Sequence, residues 1–279
     1  MSAVLKALPL PRDEFARVID ELIERRARRV TTVVLSAIDW LREEVGGRLQ
    51  DVEAVADWEE FARRLREMER ELAATAAQAA EQASRQAGRP LAFDPATIRA
   101  AEWIAERGAQ MVREIADETR QAIRDAVARA WNRGLGVDQL AREVRPLIGL
   151  TRRMALAVDN YRARLIEDGV PPGRAADMAG KYANKLLRYR AYNIARTEMQ
   201  YAANMGAQRA WEYMQAEGLV APDAQKEWLT AADELVCPIC APMDGVRVPL
   251  NQPYQTAVGP LMAPPAHPQC RCTHAVVVR

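Results

Sequence analysis

The residues best suited to chemistry crowd into one short stretch near the C-terminal end. Cys237, Pro238, Ile239 and Cys240 form a Cys-x-x-Cys turn, and after a loop come His267, Pro268, Gln269, Cys270, Arg271 and Cys272. All four cysteines of the 279-residue chain, and one of its two histidines, lie in this segment. Thiolate and imidazole are the groups a structural zinc ion takes, four at a time in a closed tetrahedron. The sequence therefore implies Zn2+ as a structural cofactor. Five candidates are present for four places: Cys237, Cys240, His267, Cys270 and Cys272. The first pair has the spacing that lets one tight turn wrap an ion. If the chain after Pro268 is extended, residues two apart point the same way, and Cys270 and Cys272 both face the metal. That tilts the reading to four cysteines with His267 beside the site, and leaves the choice of four open.

Other chemistries fit less well. Two disulfides, or free thiols, would use the same cysteines. Met1 to Pro11, however, has no long apolar stretch and no small-residue cleavage site, so synthesis in a reducing cytoplasm is expected, where Cys-x-x-Cys favours metal or redox chemistry. A thioredoxin-type pair needs a helix start within a βαβ unit, and none is visible. A catalytic zinc of the nucleobase-deaminase kind needs a glutamate general acid/base in His-x-Glu, yet His267 is followed by Pro268 and Gln269, and His274 by Ala275 and Val276. No catalytic residue is assigned and no enzyme activity is expected.

These ligands must be positioned by elements that the rest of the chain supplies. Alanine, leucine and arginine are abundant and aromatics are only 6%, a mixture that favours helix. The pattern predicts helices over about 12–45, closed by Gly46 and Gly47, and over about 52–87, closed by Gly88 and Pro90. A third opens at Asp94 and Pro95 and runs to about Arg133, before Gly134 and Gly136. Shorter helices are expected over about 138–147 and from the N-cap Thr151 to Asp168, and a long one over about 174–217. The alanine-rich stretch from Glu71 to Gln86 reads equally as a close-packed seam or a solvated spacer. Beyond Gly218 prolines and short apolar runs replace helical periodicity, and 246–250 and 273–278 read as short strands. The fold class is thus mainly α, with long helices in the N-terminal half and a small irregular α+β C-terminal module. The domain reading is 1–135 as a helical arm or bundle, 136–217 as a second helical part and 218–279 as the zinc-binding module. Such a tail has too few large apolar residues to hold itself, which is where a metal substitutes for a core.

The long helix carries two further features. Between Lys181 and Arg196 there are five basic residues and no acidic one. Lys181, Lys185, Arg188 and Arg196 fall within an arc of about 80° on a helical wheel. The stripe reads as a phosphate-contacting line, as a docking face for an acidic partner, or as an ordinary solvated face, and a net charge of +1 favours the last. Glu198 falls among Leu187, Ala191, Ile194, Tyr201, Ala202 and Met205, an apolar stripe in which a bare carboxylate is costly. It is expected to have a partner from another element, Arg271 or a backbone amide of the cysteine module, while Arg196 lies on the opposite face. No apolar run approaches the roughly 18 residues that span a bilayer, so no membrane contact is expected.

The residues from Tyr189 through Arg190, Ile194, Ala195, Arg196 and Thr197 to Glu198 resemble the R…IARTE helix of the bacteriophage Mu protein F-like head morphogenesis family. Trp228, Asp233 and Val236 to Cys240 resemble its W…D…VCPxC block. Met243, Asp244 and Gly245 match the LDG that follows, with Met for Leu, and Pro264 to Cys272 resemble its PPxHPxCRC ending. The likeness covers about Ala130 to Arg279, and the first 130 residues match nothing in it. It implies a minor head protein of a tailed phage or phage-like particle, made in the bacterial cytoplasm and resident in the virion. Its implied partners are the portal protein or the major capsid protein, with multiple copies and possible contact with DNA. The alternative reading is a DNA-binding module that joins the zinc knuckle to the basic helix face.

Overall fold

The structure is a computed structural model that describes residues 10–46, 56–93, 100–133 and 143–277. Six α-helices are described: α1 (Arg12–Val45), α2 (Trp58–Leu65), α3 (Glu67–Gln86), α4 (Ala100–Asn132), α5 (Arg152–Glu167) and α6 (Pro172–Ala216). Five short strands follow: β1 (Gln225–Leu229), β2 (Arg247–Pro249), β3 (Tyr254–Thr256), β4 (Gly259–Leu261) and β5 (Thr273–Val276). The chain is mainly α with a small strand-containing C-terminal module, as its composition indicates. Among the described residues no helix is long and apolar enough to cross a membrane.

Local chemistry sets these bounds. Asp13 and Glu14 sit in the first turn of α1 and Arg42 in its last, matching the helix dipole, and Gly46 closes it with φ +54°. The helix expected over about 52–87 is two helices. Asp57 caps α2 by accepting from the Glu60 amide at 2.8 Å, and the break to α3 falls at Arg66. The predicted N-cap Thr151 starts α5, its hydroxyl accepting from the Met154 amide at 3.3 Å. The Asp94–Pro95 helix start, and residues 138–142 of the helix expected over 138–147, lie outside the described residues; Arg145–Leu147 is a single 3-10 turn.

The Cα framework divides into two compact units, each built from separated stretches. The first comprises Met1–Val30, Glu69–Glu106 and Asn193–Arg279; the second comprises Thr31–Met68 and Arg107–Tyr192.

In the first unit the alanine-rich helix is a packed seam. Ala76, Ala79, Ala80 and Ala83 of α3 are buried. Gly206 of α6 lies so close that a Cβ there would stand 2.2 Å from the Ala76 carbonyl oxygen. Small residues on both helices allow this approach. Trp211 anchors the seam, its indole donating to the Ala83 carbonyl at 3.0 Å and its ring 5.9 Å from Phe15. The strands form a sheet in the order β2-β1-β5, all antiparallel, and a separate β3-β4 hairpin.

In the second unit the buried Arg190 of α6 donates to the Gly149 carbonyl and to Glu118 Oε2, the latter at 2.6 Å. Gly149 has φ +89°, and a Cβ there would meet Ile38 at 2.7 Å. A left-handed turn and a tight approach to α1 therefore both require glycine at this position.

Candidate metal centre

Sheet register brings the two halves of the cysteine segment together. β1 and β5 pair antiparallel, with Leu229 opposite Thr273. The chain leaving β1 and the chain entering β5 therefore meet at the same end of the sheet. Cys237 and Cys240 follow β1, and His267, Cys270 and Cys272 precede β5.

Each half forms a tight turn. The amides of Cys240 and Ala241 donate to the Cys237 carbonyl at 3.1 and 2.9 Å. The Cys270 amide donates to the His267 carbonyl at 3.1 Å, and this second turn passes through Gln269 at φ +62°. The Cys237 sulfur lies 3.0 Å from His267 Nε2, the Cys240 sulfur lies 3.2 Å from the same nitrogen, and Cys240 and Cys270 sulfurs are 3.8 Å apart. Two ligand groups result, Cys237–Cys240–His267 and Cys240–Cys270–Cys272, with all donor atoms of each within 4.8 Å of one another. Both are able to hold a metal ion. With metal–sulfur bonds near 2.3 Å, the sulfur–sulfur edge of a tetrahedron is about 3.8 Å.

Two more observations fit a metal. The donors converge on one small pocket, which Leu235 and Val236 also line. His267 Nδ1–H donates to the Pro268 carbonyl at 2.8 Å. That bond fixes the tautomer and turns the Nε2 lone pair toward the sulfurs, as it does for ligating histidines generally. Charge gives the same answer. Burial, then the neighbouring Cys270 thiolate, pushes the Cys240 thiol up to about 12. A hydrogen bond from Cys272, joined by the backbone amides of Cys272 and Ala266, holds Cys270 down to about 5 against the opposing effect of burial. Ionising these neighbouring thiols together is costly without a counter-charge, which a divalent cation would supply.

The cysteines also form part of the module's apolar interior. Cys240, Cys270 and Cys272 are buried with Trp228, Met243 and Tyr254, and Val236, Val248 and Leu261 pack against them. The Trp228 and Tyr254 rings meet edge-on at 5.1 Å. The other histidine is part of the packing. His274 is fully buried, its Nε2–H donates to the Asn204 carbonyl at 3.0 Å, and burial pushes it down to about 3.

Helix α6 clamps this module through a buried polar line. The Thr197 hydroxyl accepts from the Gln269 amide at 3.2 Å. Gln200 and Asn204 donate their side-chain amides to the Cys272 carbonyl, Asn204 at 3.4 Å. Asn204 also accepts from the Thr273 hydroxyl at 2.8 Å. Gln208 donates to the Leu250 carbonyl at 2.8 Å and accepts from Lys226 at 3.1 Å. Sequence reasoning noted the apolar residues of this helix and missed the amides among them. Their spacing of four residues, in an otherwise alanine-rich stretch, is the available signal.

Glu198 is buried at 5% exposure. Arg271 places both guanidinium nitrogens on Asp233, at 2.6 and 2.5 Å. Of the four cations named as a contact stripe, Lys181, Lys185 and Arg188 are exposed. Arg196 is buried and engages Asp20 at 2.9 Å together with Glu24, so its charge is committed to α1.

A model of the family described as "Phage Mu protein F like protein" matches residues 121–275. No curated protein and no solved structure matches the chain.

Proposed function

Because the chain belongs to the Phage Mu protein F like protein family, we propose that it is a structural minor head protein of a tailed phage or phage-like particle. It acts in head assembly by docking on the portal or on the major capsid protein, in multiple copies within the virion, and it catalyses no reaction. The observation that carries this reading is the matched span itself. It contains the Arg196–Glu198 helix segment and all five candidate ligands, so the family resemblance and the metal centre are one feature.

The mechanism is positional. Cys237, Cys240, His267 and Cys270 would hold a zinc ion, which would staple the two turns together. The imidazole is included because its Nε2 lies nearest two of the sulfurs. The fifth candidate, Cys272, has its sulfur within 4.8 Å of those of Cys240 and Cys270, and this reading assigns it to the apolar interior beside Trp228. Residues 218–279 then present the loop between the two turns as a fixed surface for the partner.

The test is incorporation. The double variant Cys237→Ser, Cys240→Ser loses the ion, exposes β5 to hydrogen exchange and fails to enter heads. Particles that take up the double variant at the normal level would refute the mechanism.

A further inference from the structure

The second unit carries a basic surface that the head-protein reading does not use. Between Arg145 and Arg190 basic residues outnumber acidic ones ten to four, although the whole chain is nearly neutral; of the ten, Arg152, Arg162 and Arg190 pair with Asp125, Glu143 and Glu118. Helices α5 and α6 are joined by only four residues, with Gly169 at φ +82°. Such a short connection makes them antiparallel neighbours. Tyr161 and Tyr182 mark their contact, with ring centroids 5.2 Å apart.

The position of each cation follows from helical rotation. Measured from Tyr161, Arg153 and Arg164 of α5 lie about 60–80° to one side; measured from Tyr182, Arg174, Lys181, Lys185 and Arg188 of α6 lie about 60–120° to the same rotational side. Antiparallel packing reverses the sense of rotation, so both sets emerge on one flank of the hairpin. The opposite flank is the buried one. It carries Ala155 and Val158 of α5 and Ala175, Ala179, Ala183 and Leu187 of α6.

All six cations are exposed, and among the described residues none of the six makes an ion pair or hydrogen bond. Glu167 stands three residues after Arg164, and Asp177 three after Arg174 and four before Lys181, all near the hairpin turn; Arg153, Lys185 and Arg188 have no carboxylate at helical spacing. The α6 cations span about 21 Å along the axis, at 1.5 Å per residue. A second, parallel row follows on α5.

We propose that this flank binds the phosphate backbone of double-stranded DNA without reading sequence. Two rows of unpaired cations suit a polymer with regularly repeated charges. Phosphate contacts of this kind position a protein on DNA and carry no base information. Arg196 takes no part, since Asp20 and Glu24 neutralise it. The inference is independent of the metal centre.

The test is fluorescence anisotropy of the full chain with a labelled random-sequence duplex of about 30 base pairs, titrated across about 50–200 mM salt. Binding is expected, with log K falling against log salt at a slope between about −3 and −5. The variant Lys181→Glu, Lys185→Glu, Arg188→Glu should bind at least about tenfold more weakly and flatten the slope by about 3. A control with the same charge change elsewhere, Arg25→Glu, Arg85→Glu, Arg113→Glu, should keep most of the affinity. If charge reversal on α6 lowers the melting temperature, the milder variant Lys181→Gln, Lys185→Gln replaces it and should flatten the slope by about 2. No binding at about 50 mM salt, equal losses in the α6 and control variants, or equal binding to polyglutamate would each overturn the proposal.

Discussion

Thr197 of α6 accepts a hydrogen bond from the backbone amide of Gln269 at 3.2 Å. One residue of the Arg-Thr-Glu segment thus holds the turn that carries His267 and Cys270. Gln269 sits at φ +62°, a conformation that non-glycine residues adopt only when their surroundings impose it. Replacing Thr197 by Ala removes the acceptor and should cost about 1 kcal/mol. The same variant should lose metal to a chelator faster than the wild type, measured as the rate of zinc release to a chromogenic chelator. An unchanged release rate would mean that the helix does not support the turn.

The amide line on α6 should matter for stability in its own right. Asn204 is buried and serves both the Cys272 carbonyl and the Thr273 hydroxyl. Asn204→Ala leaves those groups short of a partner and should destabilise the protein by about 1–3 kcal/mol. Urea unfolding followed by circular dichroism measures this, and a cost near zero would show that water replaces the amide.

Gly206 sets the approach of α6 to α3. An added methyl would meet the Ala76 carbonyl at 2.2 Å and the Ala76 Cα at 2.7 Å, both backbone atoms that cannot rotate away. Gly206→Ala should therefore destabilise by about 1–3 kcal/mol through overpacking, even though alanine is the better helix former. A higher melting temperature for Gly206→Ala would contradict the seam.

Lys226 gives a pH dependence with a definite sign. It is fully buried, donates to Gln208 and to the Met262 carbonyl, and lies 5.2 Å from the centre of the Tyr254 ring. Burial pulls it down from 10.5 to about 8. Between those values the unfolded chain binds more protons at this site than the folded chain, so its contribution to stability rises with pH. Below about pH 8 the ammonium carries its full burial cost. Lys226→Met should thus compare best with the wild type at pH 7 and lose ground by pH 9.5. Denaturation midpoints of both proteins at the two pH values measure the difference, and a constant gap would refute it.

Much of this architecture was legible in the sequence because it rests on local signals. Dipole-matched ends and a closing glycine bound α1, a threonine cap starts α5, and ligand spacing marks the cysteine segment. Long-range pairing was less visible. β1 has no alternating apolar signal in Gln225, Lys226 and Glu227, yet Lys226 and Glu227 are buried once β5 pairs with the strand from far along the chain. Arg196 reads as part of the basic stripe because its helical angle lies about 20° from that of Lys185. No local pattern shows that Asp20 and Glu24 of α1 lie against it. The role of Gln200, Asn204 and Gln208 was hidden for a similar reason: buried amides are explained only by the backbone carbonyls they meet, and those lie on other elements.

The central claim is that a metal ion, and not a disulfide or a bare apolar core, holds the C-terminal module in shape. Elemental analysis of the full-length protein purified under reducing conditions tests it most directly, alongside His267→Ala and Cys272→Ser. The account predicts about one zinc ion per chain, loss of most of it in His267→Ala, and retention of most of it in Cys272→Ser. A folded wild-type protein with no bound metal would contradict the claim, and loss of zinc in Cys272→Ser with retention in His267→Ala would contradict the proposed ligand set.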